Sequence, residues 1–243
     1  MMKDLQVLVI SLKESDQRRA RVEAELRDTG LRWRFLDAVD GSALHLPSVS
    51  FDALRVKRLL GFELTPKEVG CYLSHLNAWR ACIHQQCPTL IFEDDFVVKP
   101  HLTSVLKELV EIKERWQIVR LQALCESSSQ LISQHDGWQL VSNSSDPLGA
   151  TAYLIHPVSA NALLTHGGDI YEPLDHYLEH REKHGLNVLA VKPYPVEVFD
   201  RTRASSTITD RPERPVIRGW GKWARSWHRW LDRRFSSRPW FPR

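Results

Sequence analysis

The 243-residue chain contains no apolar run approaching the ~18–20 residues that a membrane span needs. Its opening, Met1-Met2-Lys3-Asp4-Leu5, passes straight into Val7-Leu8-Val9-Ile10, which is too short for a signal-peptide core, so a cytoplasmic protein is expected. Cysteine is scarce. Cys71, Cys82, Cys87 and Cys125 show neither a C-x-x-C spacing nor the paired histidines of a zinc site. A chain this long needs no covalent staples, so reduced thiols are expected. The first strand-to-helix turn lacks both G-x-G-x-x-G and a P-loop, which disfavours the usual dinucleotide and nucleoside-triphosphate folds. No internal repeat is visible.

What is present is ordinary in bulk and uneven in detail. An apolar content of 42% and a charged content of 26% suit one soluble α/β domain, alone or with a small appendage. The net charge of +3 conceals a basic end: residues 211–243 hold ten Lys/Arg against two Asp/Glu, a balance of +8. That leaves 23 basic and 28 acidic residues, a balance of −5, in residues 1–210. The reading is an acidic body followed by a basic tail.

Along the body, Leu5 to Leu12 reads as a strand buried on both faces, and Ser15 or Asp16 caps a helix running to about Asp28 and closed by Gly30. Arg32 to Leu36 alternates as a second strand, ending in the Asp37–Gly41 loop. Strand, helix, strand at this spacing implies a βαβ unit and a mostly parallel sheet. Residues 51–60 read as helical. Thr65-Pro66-Lys67-Glu68 is a helix start with a capping box and Pro at the first helical position, predicting a helix to about Gln86. Helices are predicted over 102–116, from Pro157 to about His166 and over 174–184, with strands over 117–122, 149–155 and 186–191. The Ser-rich stretch 125–147 reads as a hairpin, a lid or a flexible loop.

Thr89-Leu90-Ile91-Phe92-Glu93-Asp94-Asp95-Phe96-Val97-Val98 organises the rest. An apolar strand belongs in a core, and three adjacent acids do not, unless they stand at the strand's carboxyl end where open α/β sheets hold their ligands. In extended geometry Glu93 and Asp95 share a face and Asp94 points away. Two carboxylates at a strand tip form a hard-oxygen site suited to Mn²⁺ or Mg²⁺. A solvated acidic turn is the alternative.

Taken in order, these pieces resemble glycosyltransferase family 25, whose members include bacterial lipopolysaccharide and lipooligosaccharide sugar transferases and relatives that glycosylate collagen. The most specific part is Glu68-Val69-Gly70-Cys71-Tyr72-Leu73-Ser74-His75-Leu76 with Trp79, followed by Leu90-Ile91-Phe92-Glu93-Asp94-Asp95. Val9-Ile10-Ser11-Leu12 with Arg18-Arg19, Ala38-Val39-Asp40-Gly41, Gly149 to Ile155, Pro173-Leu174-Asp175 and Ser205-Ser206-Thr207-Ile208 support it. The resemblance covers most of residues 5–210 and implies a GT-A-like nucleotide-sugar-binding domain there, with the tail from 211 outside the shared pattern.

The resemblance implies a UDP-sugar donor and a D-x-D-like motif on a divalent metal, with Glu93 and Asp95 as the outer acids and Asp94 either on the ribose or structural. A metal held by carboxylates neutralises the leaving diphosphate, which glycosyl transfer requires. Inverting transfer also needs a base, and Asp175 holds the family position for it, against the alternative of an acid favoured at a helix N-terminus. His75 reads either as a hydrogen-bonded core residue or as a donor contact. Arg18 or Arg19 meets the donor phosphates or lies on a solvated helix face. Asp40 and Gly41 hold the uracil or ribose, or form a plain Asp-Gly turn. Ser205 and Ser206, with Arg201 and Arg203, close on the diphosphate or lead into the tail.

In the tail, Trp220, Trp223, Trp227 and Trp230 fall on one helical face with Lys222, Arg225, Arg229, Arg233 and Arg234 mostly beside it. Such a helix suits an anionic membrane surface or docks on the body; a nucleic-acid tail fits less well with a lipid-linked acceptor. The expectation is a metal-dependent, inverting hexosyltransferase, galactose being the family's usual sugar. It would act at the cytoplasmic face of the inner membrane on a lipid-linked oligosaccharide acceptor. A metal-dependent phosphoesterase and a non-catalytic membrane adaptor are the alternatives.

Overall fold

The computed structural model describes residues 4–45, 50–145 and 147–199. Its frame is an eight-stranded sheet. In spatial order the strands are β2 (Arg34–Asp37), β1 (Gln6–Ser11), β3 (Thr89–Glu93), β8 (Ala152–Ile155), β5 (Ile118–Arg120), β9 (Val188–Lys192), β7 (Trp138–Asn143) and β6 (Ser129–His135). β4 (Phe96–Val98) and β10 (Val196–Val198) form a separate antiparallel pair.

The βαβ start is as read: β1 pairs in parallel with β2 and with β3. The expectation of a mostly parallel sheet is corrected. β5 and β9 make the third parallel pairing, while β8 runs antiparallel to both β3 and β5, and β7 to both β6 and β9. The cause lies in the β6–β7 hairpin that follows β5, after which the chain re-enters at the same edge of the sheet and runs back as β8. Because β3 and β5 both oppose β8, the carboxyl ends of β1, β3, β5 and β9 share one edge.

Successive residues of β1 and β3 serve two cores, which explains their unbroken apolar character. Leu8, Ile10 and Ile91 face helices α2 (Ala53–Leu60), α3 (Pro66–Gln85), α5 (Pro157–His166) and α6 (Leu174–Glu179). Val7, Val9, Leu90 and Phe92 face α1 (Asp16–Leu26) and α4 (Leu102–Glu111). Two helices are shorter than read. The one after Leu102 ends at Glu111, with a 3₁₀ turn at Lys113–Arg115. The one after Pro173 breaks at His180, whose ψ of 66° leaves the helical region, before α7 (Arg181–His184). The four cysteines are unpaired thiols.

The capping box of α3 is complete. Thr65 Oγ1 accepts from the Glu68 backbone N–H at 3.2 Å, and Glu68 Oε2 accepts from the Thr65 N–H at 2.9 Å. This fixes the start of the helix that carries Gly70, Cys71, Ser74 and His75. Thr65→Ala is expected to cost about 1 kcal/mol, read as a lower urea midpoint at unchanged slope.

Candidate active site

At the carboxyl edge of β1 and β3 the structure brings together most of the side chains singled out from the sequence. One cavity is lined by Ser11 and Leu12 after β1, Ser15 and Arg18 of the first helix, the Ala38–Gly41 loop, and Lys67, Cys71, Ser74 and His75 of α3. Glu93, Asp94 and Asp95 complete it. The Ala38–Gly41 loop is held by backbone contact. The Val39 N–H donates to Ser74 Oγ at 2.8 Å, and a Cβ on Gly70 would lie 2.7 Å from both Gly41 N and Val39 O. Only two facing glycines allow that approach. Asp40 accepts from the Ser42 N–H and hydroxyl at 2.8 and 2.7 Å, so it closes a local turn at the cavity rim.

The three acids have three environments. Glu93 and Asp94 point to opposite faces as an extended strand requires, and the chain then bends before Asp95, so the extended geometry ends at the strand tip. Asp94 accepts from Ser11 Oγ at 2.6 Å and from Arg18 at 2.5 Å, while the Arg21 guanidinium donates to its carbonyl. Arg18 therefore lines the cavity and pairs there with Asp94. Glu93 turns towards α3. Burial works to raise its pKa, and donors from His75, Cys71 and Thr151 outweigh this and hold the carboxyl below its usual range. Asp95 is the odd member, because its Oδ1 is buried and has no hydrogen-bond partner among the described residues. Burial, then the charges of Glu93 and Asp94, push its pKa up to about 7 against the pull of Arg18 and Arg21.

His75, fully buried, belongs to a chain whose direction hydrogen-bond accounting assigns. Trp79 Nε1 can only donate, and does so to the Tyr153 hydroxyl at 2.9 Å. The phenol proton then finds its acceptor in His75 Nδ1 at 2.8 Å, leaving the neutral ring's Nε2–H aimed at Glu93 Oε1, 3.4 Å away. Cys71, His75 and Glu93 lie within 4.8 Å of one another, as a metal trio would. In this tautomer, however, His75 is a donor that orients Glu93, not a ligand. Tyr153→Phe is expected to leave two buried nitrogens unpaired and to cost about 1–3 kcal/mol, measured by denaturant unfolding.

Asp175 does not line the cavity. It is the second residue of α6, its Oδ1 accepts the His176 N–H at 3.1 Å, and its charge helps raise the Cys71 thiol, after burial and Glu93. Ser205, Ser206 and the tail from 211 lie outside the described residues. Cys71, Thr151 and Tyr153 are site residues to which the sequence reading gave no role. The signal for Cys71 was its i, i+4 spacing with His75 on one helix.

An oxygen-seeking divalent cation fits this donor set. An ionised Glu93 and an Asp95 oxygen without a partner stand at one strand tip, in a cavity that also holds an arginine. The comparisons with known proteins point to one family. The family pattern described as "Glycosyltransferase family 25 (LPS biosynthesis protein)" matches residues 4–178. The lipooligosaccharide biosynthesis protein lic2B of Haemophilus influenzae is 27% identical over 170 residues, 65% of this chain and 62% of that protein. Procollagen galactosyltransferase 2 of Homo sapiens is 29% identical over 121 residues, 46% of this chain and 19% of its own. A probable inactive glycosyltransferase 25 family member 3 of Rattus norvegicus is 34% identical over 128 residues, 48% of this chain and 22% of its own. The chain thus spans about a fifth of the vertebrate relatives. With the match running through the carboxylate strand tip, the Cys71–His75 helix and the Ala38–Gly41 loop, the chain belongs to glycosyltransferase family 25.

Proposed function

We propose that the chain is an active, inverting glycosyltransferase that moves a hexose, galactose, from a UDP-sugar to a lipooligosaccharide or lipopolysaccharide acceptor with the help of Mn²⁺ or Mg²⁺. The observation that carries this reading is the buried, unpartnered Asp95 oxygen beside the ionised Glu93 in the cavity. Such an oxygen is costly unless a ligand satisfies it, and a divalent cation does so with the right chemistry. When bound, the cation neutralises charge on the leaving diphosphate.

In this reading Glu93 and Asp95 hold the cation, and the His75 chain keeps Glu93 ionised and in place. Arg18 and the N-terminal amides of α1 face the phosphates. The Ala38–Gly41 loop with Asp40 borders the nucleoside, and Asp94 locks Arg18 and Ser11 to the strand tip. Asp175, close to Cys71 but off the cavity wall, takes the acceptor proton. Ser205 and Ser206 close over the donor, and the Trp-rich tail holds the chain on the anionic inner-membrane surface. Among the described residues no helix is long and apolar enough to cross a membrane.

A phosphoesterase reading needs a second metal site. The one further cluster among the described residues, Cys71–His75–Glu93, shares Glu93 and presents a protonated nitrogen. An inactive family member is the remaining alternative. The deciding experiment incubates the protein with Mn²⁺, a panel of nucleotide sugars and lipooligosaccharide lacking its terminal hexose, and weighs the product. Addition of one hexose from a single UDP-sugar is expected. No mass increase with any donor contradicts the active-enzyme reading.

A further inference from the structure

Strand β3 keeps its ladder as far as Glu93, whose N–H donates to the Thr151 carbonyl at 2.9 Å. Asp94, Asp95 and Phe96 then leave the eight-stranded sheet, and a carbonyl that leaves a ladder needs another donor. Each of the three has one from outside that sheet. The Arg21 guanidinium spans the turn, Nη1 donating to the Phe96 carbonyl at 2.9 Å and Nη2 to that of Asp94. Between them, the Asp95 carbonyl accepts from the Phe199 N–H at 2.6 Å.

Both donors are themselves held. Arg18 and Arg21 stand three apart on α1, hence on one face, and together grip the side chain and the carbonyl of Asp94. One turn further on, Glu25 accepts from the Val98 N–H at 2.7 Å. The pairing of β10 with β4, Val198 opposite Phe96, delivers Phe199, whose ring covers the Arg21 guanidinium at 4.2 Å. Phe96 stacks on Phe92 at 4.3 Å inside the core, which anchors the far side of the turn.

The arrangement sets a guanidinium on two neutral carbonyls. Burial works against the Arg21 charge, while Asp95 and Asp94 support it. A planar fork reaches two carbonyls at once, which a lysine ammonium is not shaped to do. Neither Arg21 nor Phe199 lines the cavity, whereas Asp95, whose main chain they enclose, does.

We infer that Arg21 is a positioning residue for Asp95: with Phe199 it fixes the main chain of residues 94–96 and so sets where the Asp95 carboxylate stands for a divalent cation. This deepens the proposed function and rests on it for the cation. The sign of the effect separates positioning from charge. A guanidinium near the site repels a divalent cation, so its loss would tighten binding by charge alone, whereas the loss of a support loosens it.

The test titrates Mn²⁺ into the purified protein and follows the free ion by electron paramagnetic resonance, with thermal midpoints measured on the metal-free samples. Arg21→Lys keeps the charge and loses the fork, and Arg21→Met loses both. Each is expected to weaken Mn²⁺ binding roughly 10–100-fold, as loss of a group that orients a metal ligand does. Phe199→Leu keeps the backbone donor and loses the ring, at a residue 44% exposed, and should weaken binding roughly two- to fivefold. Leu109→Ala, on α4 in the same core as Phe96, should lower the midpoint and leave Mn²⁺ affinity unchanged. Parental affinity in both Arg21 variants, tighter binding in Arg21→Met, or an equal loss in Leu109→Ala overturns the inference and leaves the metal site standing. If neither Arg21 variant folds, parental affinity in Phe199→Leu overturns it. A parent that binds no Mn²⁺ overturns the metal site itself, and the positioning role with it.

Discussion

Asp95→Asn is expected to lower Mn²⁺-dependent donor turnover by roughly 10³-fold, the several kcal/mol that a correctly held metal supplies to charge on a leaving diphosphate. The substitution keeps the side chain's size and removes the charge. The same variant should behave oppositely in stability without metal. Asp95 is pushed up to about 7 from an ordinary 3.8, first by burial and then by Glu93 and Asp94. Between those two values the folded protein binds more protons than the unfolded chain, so metal-free stability falls as pH rises from about 4 to 7. Asn cannot ionise. The melting curve of Asp95→Asn minus that of the parent should therefore rise across this window and level off above it. Added Mn²⁺ should reverse the order by stabilising only the parent. A variant with parental metal dependence removes Asp95 from the metal site.

Gly41→Ala is expected to be the most disruptive small change in the chain. Its Cβ would stand 2.2 Å from the Pro66 carbonyl oxygen and 2.5 Å from Lys67 Cα, backbone atoms in the first turn of α3 that the capping box fixes. Neither partner can rotate away, so the loop or the helix must move. Overpacking of this kind costs roughly 1–3 kcal/mol or more, and here the displaced loop is also a wall of the cavity. Denaturant unfolding should show the stability loss, and nucleotide affinity should fall with it. Gly30→Ala is the control, because Gly30 has nothing within 4 Å and bears only the strain of a φ of 67°. A Gly41→Ala protein as stable as Gly30→Ala contradicts the tight loop–helix contact.

Local chemistry was legible from the sequence, and distant pairing was not. Thr65 and Glu68 complete a capping box across Pro66 and Lys67, so a stretch of four residues predicts what the structure contains. The carboxylate tip was equally readable, since an apolar strand running into acids has few ways to satisfy both. The antiparallel insertion of β8 between β3 and β5 depends on where residues 125–147 turn, which no local pattern states. The Trp79–Tyr153–His75–Glu93 chain joins residues 74 and 78 positions apart, and Ser11 meets Asp94 across 83, so their roles appear only once the sheet is assembled. Asp175 shows the limit of a positional analogy: it was placed by its neighbours in sequence, and the fold sets it beside the cavity, not on its wall.

The most direct measurement is a calorimetric titration of UDP into the purified protein, once with Mn²⁺ and once with EDTA. The account predicts saturable one-site binding with Mn²⁺ and its loss with EDTA. Absence of UDP binding in both buffers contradicts the assignment of the Glu93–Asp95 cavity as a metal-assisted donor site.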